Sequence, residues 1–196
     1  MSISLVAGLG NPGREYEQTR HNVGWSVVNA LAARHRLAWK RSAAFNAEVA
    51  RLDLSPGRPV WLAKPLTFMN ESGLAVGALA RYHKLPPEAV AAVHDDLTID
   101  LGLVKVSVSG SAGGHNGVAS LLEHLGMGFA RFRIGIGPRE PPEMDLKDFV
   151  LASFTPAQLT LIQQKIDTYV QGLELLLRSG ADAAMNQLNR RDPPIQ

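Results

Sequence analysis

The chain has 196 residues, 45% of them hydrophobic, with 20 lysines and arginines against 18 aspartates and glutamates, a net charge of +2 and no cysteine. That length suits one domain with a continuous core, and the absence of cysteine excludes disulfides, thiolate metal sites and a cysteine nucleophile. No signal-peptide pattern opens the sequence and no run is long enough to span a bilayer, which predicts a soluble cytoplasmic protein.

Residues 3–7 form an apolar strand that runs into Gly8-Leu9-Gly10-Asn11-Pro12-Gly13, a tight turn. Gly8-x-Gly10-x-x-Gly13 spells the dinucleotide fingerprint, but that site needs a helix opening at the turn and an acidic residue about 20 positions on. No Asp or Glu lies between Gln18 and Ala47, and Pro12 removes an N–H from the turn. No nucleotide cofactor is predicted.

Val23 to Arg36 reads as a helix with Asn22 as its cap and His35 at its exposed end. Phe45–Leu52 and Pro59–Ala63, joined through Ser55-Pro56-Gly57, read as a hairpin, which makes the sheet mixed. Asn70 stands between Lys64–Met69 and Glu71–Val76, where its side chain suits either the cap of a helix reaching His83 or a site. Ala89–His94 is a strand with Asp95-Asp96 at its carboxyl end, the edge at which open α/β sheets bind ligands.

Leu103–Val108 gives another strand. The stretch Gly110–Gly117 then places four glycines around His115-Asn116, ahead of a helix over 118–125. So much glycine fits either a closely approaching ligand or a turn with positive φ. Arg131–Gly137 is the last strand, and 137–145 is proline-rich and charged, hence mobile or irregular. Thr155-Pro156 opens a helix to Arg178 that turns Leu159, Ile162, Ile166, Tyr169, Val170, Leu173 and Leu177 inward. Gly180 breaks it, a short helix spans 181–187, and 190–196 is a frayed tail. The predicted fold is α/β, a single domain over 1–189 with a twisted mixed sheet flanked by helices.

The strand pattern sends Asn11, His21, Asn70, Asp95, His115, Asn116 and Arg133 toward one edge. The set holds an acid–base histidine, a carboxylate, several amides and no good nucleophile, and no Gly-x-Ser-x-Gly elbow occurs. A histidine oriented by a carboxylate takes a proton from water, and amides donate to a developing oxyanion without titrating. None of His21, His94, Asp95, Asp96, Asp100 and His115 has metal-site spacing, and His94 is expected on the strand face opposite Asp95, so no metal is predicted. Arg14, Arg20, Arg34, Arg36, Lys40 and Arg41 make the first fifty residues basic, a modest field for phosphates or a solvated surface.

The stretch from Ser4 through Gly8-Leu9-Gly10-Asn11-Pro12-Gly13 to His21-Asn22-Val23-Gly24-Trp25 resembles the first signature of bacterial-type peptidyl-tRNA hydrolases, and Gly110–Gly117 resembles the second. Thr67-Phe68-Met69-Asn70 and His94-Asp95-Asp96-Leu97 lie between them in the expected order, and the resemblance runs from Ile3 to about Asn189. It implies a metal-independent hydrolase that cleaves the ester between a peptide and the 3′-terminal ribose of tRNA. His21 would be the general base, Asp95 its orienting partner, and Asn11, Asn70 and Asn116 would fix peptide and water. Met69, Gly113, Gly114 and His115 would line or support the peptide side, Tyr16 would lie at the opening, and Lys105 and Arg133 would meet the tRNA. Here the strand before the second signature keeps only Lys105 of the several basic residues common in the family. The implied partner is peptidyl-tRNA, held by its 3′ end and acceptor stem by a monomer. The same scaffold as a non-catalytic RNA-binding protein is a second reading, and an unrelated small-ester hydrolase a third.

Overall fold

Alternation in the first strand sets the layering. In β1 (Leu5–Gly8) Val6 faces one core and Leu5 and Ala7 face the other, all fully buried, so the strand needs cover on both sides. The computed structural model, which describes residues 2–190, supplies it. Helices α1 (Val23–Arg34) and α5 (Pro156–Leu188) close the Val6 side, and α2 (Ser72–Tyr82) and α3 (Asn116–Leu125) close the other.

Between these layers lie β2 (Lys40–Ser42), β3 (Ala47–Ser55), β4 (Arg58–Pro65), β5 (Val90–Asp100), β6 (Val104–Ser107) and β7 (Ala130–Gly137). With β1 they form one seven-stranded sheet in the order β2-β3-β4-β1-β5-β7-β6. The four central strands β4, β1, β5 and β7 pair in parallel, and the β2–β3, β3–β4 and β6–β7 pairings are antiparallel. This is the expected α/β fold with a mixed sheet. The chain passes from β1 to β4 on one side and later returns to β5 on the other, so the β1–β5 border is the place where such sheets open a crevice.

The crevice exists because neighbouring strands end at different heights. β1 pairs with β5 only as far as Gly8 opposite Val93, whereas β5 continues beside β7 through Asp95 and Asp96. The two aspartates therefore lie inside a strand that outruns its neighbour, rather than beyond the strand's end as expected.

Two expected caps are corrected. Asn22 precedes α1, but its side chain caps nothing there; it brackets Asn11, accepting from the Asn11 N–H (2.8 Å) and donating to its C=O (2.9 Å). Asn70 lies in a 3₁₀ turn, Met69–Glu71, and α2 starts after it without a side-chain cap. The α5 start is as expected: Thr155 and Gln158 form a reciprocal capping box with Pro156 in the first turn, and Gly180 interrupts the helix at φ 84°. α1 ends at Arg34, two residues early, with Arg36 at φ 54°.

β2 carries the polar triplet Lys-Arg-Ser and no apolar alternation, so its place in the sheet was not foreseen. Residues 138–145 are irregular and lead into a short helix, α4 (Leu146–Leu151), capped by Asp145. At the outer sheet edge the Asn189 side chain accepts from the Val106 N–H and donates to the Val106 C=O, both at 2.8 Å. The expected tail, 190–196, lies outside the described residues beyond Arg190. Among the described residues no helix is long and apolar enough to cross a membrane.

Candidate active site

Above the end of β1 opens a cleft of about 1020 Å³. Its walls come from the Asn11 turn, the Met69 turn, the outrunning part of β5, the glycine-rich loop before α3, β7 and α4. Asn11, Tyr16, His21, Met69, Asn70 and Asp95 line it, as do Gly113, Gly114, His115, Asn116 and Arg133. Lys105 does not line it; it sits opposite Arg133 in the β6–β7 register, beyond the cleft.

At the base of the cleft His21, in a buried 3₁₀ turn (Arg20–Asn22), places Nδ1 2.8 Å from Asp95 Oδ1. His115 places Nε2 2.9 Å from the same oxygen. The tautomer of His115 follows from its second duty, because its Nδ1 accepts from the N–H groups of Gly117 (3.1 Å) and Val118 (3.3 Å) as the N-cap of α3. An accepting Nδ1 carries no proton, so Nε2–H donates to Asp95. His21 donates Nδ1–H to the same ionised carboxylate, which leaves its Nε2 as a lone pair toward the cleft.

Asp95 is 3% exposed. Burial alone would push its pKa up, but the facing imidazoles of His115 and His21 outweigh this and hold the carboxyl well below the usual range. His94 is not turned away from this group. Its ring packs edge-on against His115, with centroids 4.7 Å apart, and its Nδ1–H donates to the Asp95 carbonyl at 2.7 Å. Burial, aided by the nearby His115, pushes the His94 pKa down to about 3 and keeps the ring neutral.

His21, Asp95 and His115 also have ligand atoms within 4.8 Å of one another, close enough to suggest a cation. A cation on His115 Nε2 would move its proton to Nδ1, against two backbone N–H groups already donating there.

The amides divide into one fixed and two free. Asn11 Oδ1 accepts from the Met69 N–H at 2.7 Å, so its Nδ2 is the end left for a ligand. Asn70 and Asn116 are exposed, and their side chains make no hydrogen bond among the described residues. Gly113 and Gly114 have φ of 59° and 82°, and a Cβ would meet nothing within 4 Å at the first and only Leu146 at the second. Their glycines answer the backbone's need for positive φ. Gly117 differs: a Cβ there would stand 2.5 Å from Met69 Sδ, so its absence lets α3 close onto the Met69 turn.

At the mouth Tyr16 meets Phe68 edge to face, and Phe68 is 55% exposed. Arg133 donates to Asp96 (2.8 Å) and to Thr98 (3.3 Å). Burial raises the Asp96 pKa, but its bonds to Thr98 and Arg133 prevail and lower it. Arg131 is buried and donates to the carbonyls of Ser111 (2.7 Å) and Gly110 (2.6 Å), anchoring the glycine-rich loop. Sequence reasoning missed the cleft positions of Phe68 and His94 and the wall formed by α4, and it offered Arg131, with Arg139 and Lys147, as a phosphate contact rather than as a buried anchor of the loop. Arg20, counted with the basic surface, is buried at 6% exposure.

Comparison with known proteins agrees along the whole chain. The sequence profile of the Peptidyl-tRNA hydrolase family matches residues 5–195. A peptidyl-tRNA hydrolase of Gloeobacter violaceus is 43% identical over 192 residues, covering 97% of this chain and 96% of its own. One from Anaeromyxobacter sp. is 46% identical, covering 96% and 97%. The crystal structure of peptidyl-tRNA hydrolase from Acinetobacter baumannii superposes with a TM-score of 0.88 at 36% identity, covering 97% of this chain and 96% of that one. With profile, relatives and architecture in agreement over nearly the full length, the chain belongs to the peptidyl-tRNA hydrolase family of enzymes.

Proposed function

We propose that this enzyme hydrolyses the ester between the peptide and the 3′-terminal ribose of peptidyl-tRNA by direct attack of a water deprotonated at His21 Nε2, without a metal. The observation that carries the proposal is the 2.8 Å bond from His21 Nδ1–H to the buried Asp95 carboxylate, which fixes the tautomer and leaves Nε2 basic. The proton of a water held by Asn116 passes to Nε2 while its oxygen attacks the ester carbonyl carbon. Amide N–H groups, Asn11 Nδ2 and Asn116 among them, donate to the oxyanion. The intermediate then expels the ribose oxygen, which takes the proton back from the His21 imidazolium, and Asp95 stabilises that cation until it is discharged.

An ester is reactive enough for one positioned water, one base and an oxyanion donor to suffice. Asn70, Met69 and the Gly113–Gly114 backbone hold the peptide, with Tyr16 and Phe68 at the opening. Arg133 receives the acceptor-stem phosphates, with Lys105 opposite it outside the cleft. Independence from metal is supported by the proton on His115 Nε2, where a cation would otherwise bind. We infer that the enzyme acts as a monomer.

The test is hydrolysis of purified peptidyl-tRNA in excess chelator. Turnover is expected; its absence in chelator but not in added divalent cation would show a metal requirement, and its absence in both at every salt concentration favours an RNA-binding role without catalysis.

A further inference from the structure

Arg20 stands one residue before the proposed base, is 6% exposed, and pairs with no carboxylate among the described residues. Burying such a cation is unfavourable unless its donors are satisfied; the Nε–H has no partner among the described residues, and the Nη1 and Nη2 donors converge on one stretch of chain. Nη1 donates to the carbonyls of Phe149 (3.3 Å), Ala152 (3.1 Å) and Ser153 (3.0 Å). Nη2 donates to Gln158 Oε1 (2.9 Å), the same oxygen that takes the Thr155 N–H in the box opening α5. The guanidinium carbon lies 4.4 Å from the ring centroid of Phe149 and 5.5 Å from that of Phe154. The backbone repeats the link, with the Arg20 N–H donating to the Ala152 carbonyl at 3.1 Å and Thr19 bridging to Ser153.

The fastened element is α4, which has six residues and buries only Phe149. A helix so short is not stable on its own hydrogen bonds, and its last carbonyls lack helical partners. Arg20 binds one of them, that of Phe149, and the next two carbonyls of the chain, Ala152 and Ser153, and it brings a positive charge to the negative end of the helix. Leu146, Lys147, Val150 and Leu151 of α4 line the cleft. One side chain thus joins a wall of the cleft to the turn that carries His21.

We infer that Arg20 is a positioning residue for the reaction proposed above, on which this inference rests: it makes the α4 wall and the His21 turn move as one body. It does not line the cleft itself. A displacement of about 1 Å at a reacting centre costs up to about 10²-fold in rate, so loosening this joint alters turnover as well as binding.

The test compares Arg20→Met and Arg20→Lys with the unaltered protein by amide exchange and by steady-state hydrolysis of peptidyl-tRNA. For Arg20→Met, exchange over 146–153 is expected to quicken about tenfold while α3 keeps its protection, with kcat about tenfold lower and KM raised. Arg20→Lys, which keeps the charge but not the planar fork, is expected to recover part of both effects. Faster exchange with kcat and KM within about twofold of the original reduces Arg20 to a structural clamp and overturns the inference, as does unchanged exchange. If Arg20→Met does not fold, Arg20→Lys decides alone, and an unaltered exchange pattern in it sinks the proposal. Exchange is read without substrate, so inactivity of the unaltered protein would count against the proposed function and not against the joint.

Discussion

His115 Nε2 lies 2.9 Å from Asp95 Oδ1 while the other nitrogen of the same ring closes the first turn of α3. One imidazole therefore has a structural duty and a site duty, and two substitutions separate them. His115→Ala should lose about 1 kcal/mol of stability with the cap and also lower kcat. His115→Asn, a good cap too short to reach Asp95, should regain most of the stability while leaving kcat low. Chemical denaturation beside kinetics checks this, and equal recovery of both would mean that the bond to Asp95 has no part in catalysis.

His21→Ala is expected to lower kcat by about 10²–10⁴-fold with folding intact, the range of a general base. A loss below about tenfold would remove His21 from that role. For Asp95→Asn the expected result is a fall in kcat of about 10²-fold or more with KM nearly unchanged, because the amide no longer stabilises the imidazolium. The contrary result, weaker substrate affinity at unchanged kcat, would show Asp95 serving binding.

Acid stability reports on His94. Its pKa is depressed from 6.5 to about 3, so as pH falls through 6.5 the unfolded chain takes up a proton that the folded chain refuses. Its contribution is fully present above pH 6.5 and declines toward pH 3, at up to about 1.4 kcal/mol per pH unit. Asp95, also depressed, adds its own loss only below about pH 4, where unfolded carboxylates protonate. His94→Asn, whose amide replaces the Nδ1–H donor, should flatten the stability profile between about pH 6.5 and 4. Denaturant melts across that range check it, and parallel profiles for the two proteins would contradict the burial of a neutral ring.

Arg133 bears on nucleic-acid affinity. Replacing it by Gln should reduce the slope of log affinity against log salt by about one for an acceptor-stem RNA, with kcat at saturation unchanged. Asp96→Asn should act oppositely, since it frees the guanidinium from its 2.8 Å partner. Binding titrations at several salt concentrations decide the matter, and an unchanged slope in Arg133→Gln would place the phosphates elsewhere.

Most of the fold is legible in the chain because apolar alternation and glycine or proline punctuation mark β1, β4, β7, α3 and α5 plainly. β2 escapes, since its Lys-Arg-Ser face has no hydrophobic period and is held by backbone pairing to β3 alone. His21, Asp95, His115 and Asn116, named from the sequence for their hydrogen-bonding groups, all lie in the one cleft. Much of what escaped depends on contacts distant in sequence. Nothing local distinguishes the buried Arg20 from a surface arginine, because its partners lie at 149–158. Asn22 has the composition of a helix cap and is captured instead by the Asn11 peptide group. The expectation that His94 would turn away came from strand alternation, which says nothing of a ring folding back to its neighbour's carbonyl.

The amide of Asn189 occupies both outward backbone groups of Val106, the donor and the acceptor that a border strand would otherwise offer to any stray extended peptide. That flank of the molecule is stoppered by its own C-terminal helix. Asn189→Ala would unstopper it, leaving a hydrogen-bonding template open to sticky chains during crowded synthesis or storage at high concentration.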